Sequence, residues 1–188
     1  MTISFSSRRR PVAYVSIGAA ILVLCLVLVS AGCKRPKRVT VETVEESPAL
    51  ASVIAMADPH AATQLLSGFY GVEQNSWRWT AGRFSVALRP PRTAAAHGAL
   101  LQFKFTIPAI FISKLKSVSL SAYVAGTALA PENYTHAGEY VYTREVPANL
   151  MGGDVARIDF SLDKTISPSA SDQRELGLVA TMVGLQAK

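Results

Sequence analysis

Residues 101–107 read LQFKFTI, the clearest strand signal in the chain. Four apolar residues alternate with three polar ones, so in an extended conformation the apolar side chains share one face. Pro108 follows at once and ends the pattern, because proline has no N–H to give to a strand ladder. The stretch therefore predicts a half-buried strand whose apolar face is covered by other parts of the fold.

The same alternation recurs along residues 77–182, with Pro and Gly residues between the segments. No segment of this region shows the 3.6-residue period of a long amphipathic helix. Seven or eight short strands with apolar faces favour two sheets that cover each other. We therefore predict a mainly β fold, an antiparallel, jelly-roll-like β-sandwich. Its further strands contain Trp77 and Trp79; Phe84, Val86 and Leu88; Val118, Leu120, Ala122 and Val124; Tyr140 and Tyr142; Ile158, Phe160 and Leu162; Leu176, Leu178, Ala180 and Met182.

One helix start precedes these strands. Asp58 is a suitable N-cap residue, and Pro59 suits the first helical position. We expect a turn or two of helix from His60 to Leu66, ending before Gly68.

The N-terminal region contains a long apolar segment. Residues 12–33 read VAYVSIGAAILVLCLVLVSAGC and carry no charge. This length is close to the about 20 apolar residues that a helix needs to cross a bilayer core. Arg8, Arg9 and Arg10 precede it, as in the basic start of an export signal. We therefore expect an N-terminal hydrophobic anchor helix that holds the chain at a membrane.

The end of this segment, VSAGC at 29–33, resembles a bacterial lipobox, with Ser30 where leucine is usual. The resemblance implies cleavage after Gly32 and lipidation of Cys33. Four basic residues follow within 34–38, so the two flanks of the segment are similarly charged and do not fix its orientation. An uncleaved single-pass helix is the competing interpretation, and an ordinary cleaved signal peptide is a third.

The net charge of +6 belongs to these flanks. Residues 1–38 hold seven of the 19 Lys and Arg residues and none of the 13 Asp and Glu residues, so the remainder carries a net charge of −1. This distribution predicts contact with acidic lipid headgroups, and no nucleic-acid surface. Both cysteines, Cys25 and Cys33, lie in the apolar segment, so the rest of the chain has no disulfide and no thiolate metal site.

Three parts of the chain follow from these patterns. Residues 1–33 form the signal or anchor segment, residues 34–57 a linker, and residues 58–188 the β-sandwich domain. Within the linker, the small apolar stretch 49–57 could also lie as a strand on the domain edge. The last part is long enough for one domain with its own core.

Two motifs carry a resemblance to a known family. GFYGVE at 68–73 leads to WRWT at 77–80, and DQRELGL at 172–178 precedes the last strand. Both are similar to a bacterial β-sandwich domain that occurs in short anchored proteins and appended to glycosyltransferases and surface-sugar assembly proteins. The resemblance implies a sandwich related in shape to galactose-binding-like modules, without catalytic residues to carry over.

The motif residues have a structural and a ligand-binding interpretation. Trp77 and Trp79 share one strand face, where their indoles either fill the core or form a platform for a sugar ring. Arg78 on the opposite face, and Tyr140 and Tyr142 on a later strand, are the other candidate ligand contacts. The structural motif comprises Gly68, Asp172, Arg174, Glu175 and Gly177. Arg174 and Glu175 are expected to tie the strand entrance to Arg78, Glu73 or loop carbonyls, and Gly177 to mark a close backbone approach or a bulge.

The sequence contains no recognisable catalytic constellation. It has no G-x-S-x-G motif, and its three histidines, His60, His97 and His136, lack metal-ligand spacing. No pair of carboxylates is singled out for glycoside hydrolysis. We therefore expect no catalytic residues, no metal and no cofactor.

These observations predict a membrane-anchored, extracytoplasmic, non-catalytic binding or accessory module of a bacterial cell envelope. Its expected partners are membrane lipid through the anchor and a glycan or an envelope component. The alternative is a structural envelope lipoprotein that makes only protein–protein contacts. An envelope hydrolase is a third hypothesis, which a cleft with two suitably spaced carboxylates would favour.

Overall fold

The computed structural model describes residues 50–188. The predicted anchor at residues 1–33, with Cys33, and most of the predicted linker lie outside this range. Within it, no helix is long and apolar enough to cross a membrane. The strands are β1 (Val53–Ala55), β2 (Leu65–Glu73), β3 (Trp77–Leu88), β4 (Ala99–Ile107), β5 (Val118–Val124), β6 (Thr127–Ala128), β7 (Glu132–Tyr134), β8 (Gly138–Val146), β9 (Ala156–Leu162) and β10 (Val179–Ala187).

The helices of this part of the chain are short. Two α-helices span Ala94–His97 and Ala109–Leu115, and two 3₁₀ helices span Pro59–Thr63 and Ala148–Leu150. Phe111 on the second α-helix is fully buried and anchors that helix on the core.

The strands pair antiparallel in two layers. The first layer runs β1–β10–β4–β8, and the second runs β2–β3–β9–β5, with β6 and β7 on the far edge of β5. Strand β3 joins the layers, because Arg78 and Trp79 pair with β10 while residues 83–88 pair with β9. The outer surface of the second layer is therefore built from strands that are distant in sequence.

Aromatic rings from both layers meet in the core. The ring of Phe103 on β4 lies 5.5 Å from that of Phe84 on β3 and 5.0 Å from that of Phe160 on β9. Phe84 and Phe160 stack at 4.9 Å within the second layer. Each such pair contributes about 0.5–1.5 kcal/mol beyond the apolar area it buries. This face-to-face packing confirms the prediction of a mainly β, antiparallel, jelly-roll-like sandwich.

Strand β4 contains the stretch 101–107 and lies between β10 and β8. All four of its alternating apolar residues are buried, while Lys104 between them is exposed. The strand predicted from this alternation is confirmed.

The helix expected from His60 to Leu66 is wrong beyond its first turn. Asp58 does cap it, since its carboxylate accepts the His60 N–H at 2.8 Å, but the turn is 3₁₀ and ends at Thr63. From Leu65 the chain pairs with β3 instead, and Gly68 lies inside β2 with φ of +73°. A Cβ atom at Gly68 would clash with the Arg83 carbonyl oxygen, so glycine allows the two strands to approach.

The described body begins before the predicted boundary at Asp58. Strand β1 pairs with β10 through Val53, Ile54 and Ala55, within the stretch considered for an edge strand. Next to it, the buried Gln64 side chain accepts the Ala51 N–H at 2.8 Å and donates to the Ala51 and Ala87 carbonyls at 3.0 and 2.7 Å. Residues assigned to the linker therefore belong to the folded body.

Candidate functional site

The outer face of the second layer carries a row of polar and aromatic residues. Ser67 on β2 pairs with Ser85 on β3, Ser85 pairs with Asp159 on β9, and Asp159 pairs with Tyr123 on β5. Their sequence neighbours Phe84, Phe160 and Ala122 are buried in the core. Since side chains alternate along a strand, this row faces away from the core.

This row lines a cavity of about 440 Å³. Arg83 and Ser161, a register pair one step further along the strands, extend its lining. Arg157 lines it on the other side of the row. Besides the core residues Phe84 and Phe160, the lining therefore offers the ring and hydroxyl group of Tyr123, two guanidinium groups, one carboxylate and three serine hydroxyl groups. We call this cavity the sheet-face cleft.

Two contacts inside the sheet-face cleft fix its polar groups. Arg157 Nε and Nη2 donate to Asp159 Oδ1 at 3.0 and 2.9 Å, and the hydrogen bond with this carboxylate raises the pKa of Arg157. Ser67 Oγ lies 2.8 Å from Ser85 Oγ. Each contact restrains the two side chains that make it, while the Arg157 and Asp159 side chains remain 64% and 40% exposed.

A second cavity of about 390 Å³ also has Arg83 in its lining. It lies over Ala81 and Gly82 and includes Asp163, Lys164, Thr165 and Glu175. A Cβ atom at Gly82 would come within 2.9 Å of both the Thr165 and Glu175 side chains, so the small residue makes room for them. Together we call the two cavities the outer groove.

The polar groups of the second cavity are engaged within the protein. Thr165 Oγ1 donates to Glu175 Oε1 at 2.7 Å, and the Ser119 N–H donates to Asp163 Oδ1 at 2.6 Å. Lys164 Nζ donates to the Ser117 carbonyl at 3.2 Å and to Ser117 Oγ at 3.0 Å. Arg83 differs from them: it is exposed and makes no side-chain hydrogen bond or ion pair with any residue from 50 to 188.

The two tryptophans lie elsewhere, at the first residues of β3. Trp77 and Trp79 share a face, since their rings meet edge-to-face at 6.0 Å. Trp79 also stacks on the buried Phe111 at 6.3 Å and packs against the core. Both are half-buried, and Trp79 serves mainly to seat the helix Ala109–Leu115 on the sandwich.

Arg78 acts between backbone segments. Its Nε donates to the Met56 carbonyl and its Nη1 to the Tyr70 carbonyl, each at 3.0 Å. It therefore ties the segment after β1 to β2, and its guanidinium is not directed at the tryptophan face of the strand.

Arg174 is the centre of a charged cluster between β2 and the loop before β10. It lies 2.7 Å from Glu73 Oε1 and 2.8 Å from Asp172 Oδ2, and 5.2 Å above the Tyr70 ring. Hydrogen bonds from the Arg174 side chain and backbone N–H lower the pKa of Asp172 to about 2. Both acids in turn raise the pKa of Arg174. Glu175 is turned away from this cluster, toward Thr165.

Gly177 lies where β3 and the chain before β10 touch. Its N–H donates to the Thr80 carbonyl at 2.6 Å. A Cβ atom here would lie 2.5 Å from Thr80 Oγ1 and 2.6 Å from the Ala81 carbonyl oxygen. Only glycine fits this approach without movement of backbone.

Tyr140 and Tyr142 are not placed as a ligand-binding pair. Tyr142 is fully buried, its hydroxyl donates to the Ala130 carbonyl at 2.8 Å, and burial raises its pKa. It cannot contact a ligand at the surface, which corrects the sequence-based assignment. Tyr140 is half-buried against the Tyr134 ring at 4.7 Å, and its hydroxyl donates to the His136 carbonyl. Two tyrosines that share a strand face are as typical of a core as of a ligand-binding surface.

The histidines and acids form no metal centre in the part of the chain that the structure covers. His60, His97 and His136 are all exposed. Among residues 50–188, no three His, Cys, Asp or Glu side chains are grouped to hold a metal ion.

No protein-family model and no curated protein sequence matches the chain. Among solved structures, the CBM36-1 domain of a xylanase from the hindgut metagenome of Trinervitermes trinervoides is 10% identical, with 72% of this chain and 96% of that chain covered and a TM-score of 0.41. An acetyl xylan esterase from Butyrivibrio proteoclasticus is also 10% identical, with 74% and 34% covered and a TM-score of 0.43. Carbohydrate-binding module CBM36 in complex with calcium and xylotriose is 8% identical, with 71% and 98% covered and a TM-score of 0.38. These likenesses assign the chain to no family.

Proposed function

We propose that the folded body is a non-catalytic module that binds a saccharide in the sheet-face cleft. The row from Ser67 through Asp159 to Tyr123 is the observation that carries this proposal. It combines an aromatic ring, a fixed carboxylate–guanidinium pair and hydroxyl groups on one sheet surface.

The chemistry of the cleft suits a saccharide. A sugar ring offers C–H groups on its faces and hydroxyl groups around its edge. Tyr123 can pack against the ring face, as an aromatic side chain with an apolar body and a polar tip. Asp159 accepts hydrogen bonds, while Arg83 and Arg157 donate them, and the hydroxyls of Ser67 and Ser161 can do both. Ser85 is 2% exposed and supports Ser67 from beneath through their hydrogen bond. A few polar groups on an otherwise fitted surface are what fixes the orientation of a small ligand.

The location of the cleft residues on regular strands favours saccharide binding. All the residues that line the sheet-face cleft lie on β2, β3, β5 and β9. Side chains on paired strands are held more accurately than side chains on loops, so less conformational entropy is lost on binding.

The carboxylates of the outer groove are engaged in structural contacts. Asp159 is paired with Arg157, Asp163 accepts a backbone N–H, and Glu175 accepts the Thr165 hydroxyl. Asp159 and Asp163 are four residues apart, which along a strand separates them by about 13 Å. Glycoside hydrolysis requires two carboxylates about 5–9.5 Å apart. The separation of Asp159 and Asp163 lies outside this range, so this pair favours binding over hydrolysis.

The proposed location is the outside of a bacterial membrane. The support is the uncharged segment 12–33 with its basic flanks. Cys33 is then the lipid-bearing residue, or the segment spans the membrane as a helix. In either case membrane lipid is one partner and the saccharide is the other.

Binding of the full-length protein to a glycan array, followed by titration calorimetry with the best glycan, tests the proposal. Covering an apolar surface of the size of a phenyl ring contributes about 1.5–3 kcal/mol, so Tyr123→Ala should weaken binding about tenfold or more. Tyr123→Phe keeps the ring and should stay within about threefold. Trp77→Ala is the matched aromatic control at the other candidate surface, and it should bind like the wild type.

Two results would contradict the proposal. One is the absence of binding to any glycan on the array. The other is binding that Trp77→Ala abolishes and Tyr123→Ala leaves unchanged, which would move the site to the first residues of β3.

A purely protein-binding role is the second candidate, and the edge of the first layer supports it. Within residues 50–188, β8 pairs with β4 only, so its nine residues present an unpaired edge. Val141 on this strand is 49% exposed. An open edge of this kind can add a strand from another protein, although Glu139 and Glu145 beside it discourage nonspecific pairing. Crosslinking in cells would then give one stable protein partner, and glycans would not compete for it.

A further inference from the structure

The outer groove is longer than a single sugar ring needs. Its two cavities lie side by side and share Arg83 in their linings. On β9 and just beyond it, the lining runs from Arg157 to Asp163. Six residues of extended chain span about 20 Å. A groove of this length accommodates an oligosaccharide.

All but one of the charged side chains of the groove are engaged by hydrogen bonds within the protein, although only Arg157 and Asp159 form an ion pair. Arg157 is paired with Asp159, and Lys164 is held by the Ser117 carbonyl and hydroxyl. The carboxylates of Asp163 and Glu175 each accept a hydrogen bond from the protein. Lys164 also meets no acid, but Arg83, which lines both cavities, is the one charged side chain of the groove that is exposed and makes neither a hydrogen bond nor an ion pair with residues 50–188.

Resting on the proposed function, we infer that the ligand is an acidic oligosaccharide, a chain that contains uronate units, with one carboxylate bound by Arg83. The planar guanidinium fork matches a carboxylate in two parallel hydrogen bonds, which a neutral sugar hydroxyl cannot reproduce. The units on either side of this carboxylate lie in the two cavities, one of them against Tyr123.

Three probes separate charge from length: a uronate tetramer, the same tetramer with its carboxylates methyl-esterified, and the uronate monomer. Hydrogen bonds to charged groups are stronger than neutral ones by an amount that corresponds to about tenfold in affinity. The full-length protein should bind the free-acid tetramer about tenfold more tightly than its ester. It should bind the monomer more weakly than the tetramer, because the monomer fills one cavity only.

Variants of two arginines identify the group responsible. Arg83→Gln removes the cation from the groove, and its side chain is exposed, so an unchanged melting temperature verifies that the variant is folded. It should bind both tetramers equally, at about the affinity of the wild type for the ester. Arg92→Gln removes the same charge from an exposed position outside the groove. It should keep the preference for the free acid.

The inference fails separately from the proposed function. Equal affinity of the wild type for the acid and its ester, with binding that still depends on Tyr123, would overturn the acidic ligand and leave saccharide binding intact. Binding of neutral glycans alone would likewise overturn the acidic ligand and leave saccharide binding intact. If Arg83→Gln and Arg92→Gln reduce the acid preference equally, the attraction is a general charge effect, and the assignment to Arg83 is overturned.

Discussion

Thr80 is the residue whose replacement tests most directly how the two layers are joined. It is fully buried at the point where β3 passes from β10 to β9. Its backbone N–H donates to the Leu178 carbonyl, and its hydroxyl accepts the Leu178 N–H, each at 2.9 Å. Thr80→Val preserves the shape of the side chain and removes only the acceptor for that N–H.

The expected loss of stability follows from the burial of the Leu178 N–H, which Thr80→Val leaves without an acceptor. Leu178 is fully buried, so no solvent replaces the threonine hydroxyl. A buried donor left without a partner costs about 1–3 kcal/mol. At about 3 °C per kcal/mol for a domain of this size, the melting temperature should fall by about 6 °C.

Tryptophan fluorescence can report on this contact between the two layers. The two tryptophans of the chain, Trp77 and Trp79, stand next to the junction, and Trp79 pairs with Val179. Urea unfolding followed by tryptophan fluorescence should show a lower midpoint for Thr80→Val with an unchanged slope. Thr127→Val, an exposed threonine on β6, is the control and should unfold like the wild type.

Gly177→Ala tests the same contact by adding an atom. The added Cβ would clash with the Thr80 hydroxyl and the Ala81 carbonyl oxygen. The carbonyl belongs to the backbone, so it cannot move away by a side-chain rotation. Overpacking of this kind costs about 3 kcal/mol, so Gly177→Ala should be less stable than Thr80→Val. If both variants unfold within about 0.5 kcal/mol of the wild type, a typical effect of a surface substitution, then the contact between β3 and residues 177–178 does not hold the layers together.

Two further perturbations act at other contacts. Gln64→Ala removes three hydrogen bonds to the backbone of two neighbouring segments and should cost about 2 kcal/mol in urea unfolding, whereas exposed Gln186→Ala should cost nothing measurable. Asp172 has a pKa of about 2 in the folded state, below its usual value near 3.9, so its contact with Arg174 stabilises the fold above about pH 4 and is lost as the pH falls toward 2. The melting temperature of the wild type should therefore fall more steeply between pH 4 and pH 2 than that of Asp172→Asn, and equal slopes would contradict the contribution of this pair.

The strands with strict alternation could be predicted from sequence, and those with glycine or bulges could not. Strands β4, β5 and β9 each bury every second residue, so their apolar residues recur with a period of two that can be recognised in the sequence. Strand β2 contains Gly68 and Gly71 and shifts register three times against β3. Each shift changes which face the next side chain occupies. Its apolar residues therefore show no regular period.

The sheet-face cleft could not be predicted from the sequence, for a topological reason. Alternation shows that Arg83, Tyr123 and Asp159 each face outward from a strand. It does not show that β3, β9 and β5 are neighbours, because this order is not their order in the chain. Only the register pairs, such as Asp159 with Tyr123, bring these residues into one row. Trp77 and Trp79 are two residues apart on one strand, so the sequence shows that they share a face, but it does not show which residues of other strands lie beside them.

The difference between the fixed and the free groups of the outer groove determines what each contributes to recognition. Asp159 and Arg157 already hold each other, so a ligand that binds them immobilises little. Arg83 loses side-chain freedom on binding, by an amount close to what an exposed ion pair returns. A net gain at Arg83 therefore requires the two parallel hydrogen bonds of a well-oriented carboxylate. A ligand that offers a charge without that geometry gains little, and Arg83 then acts in selectivity more than in affinity.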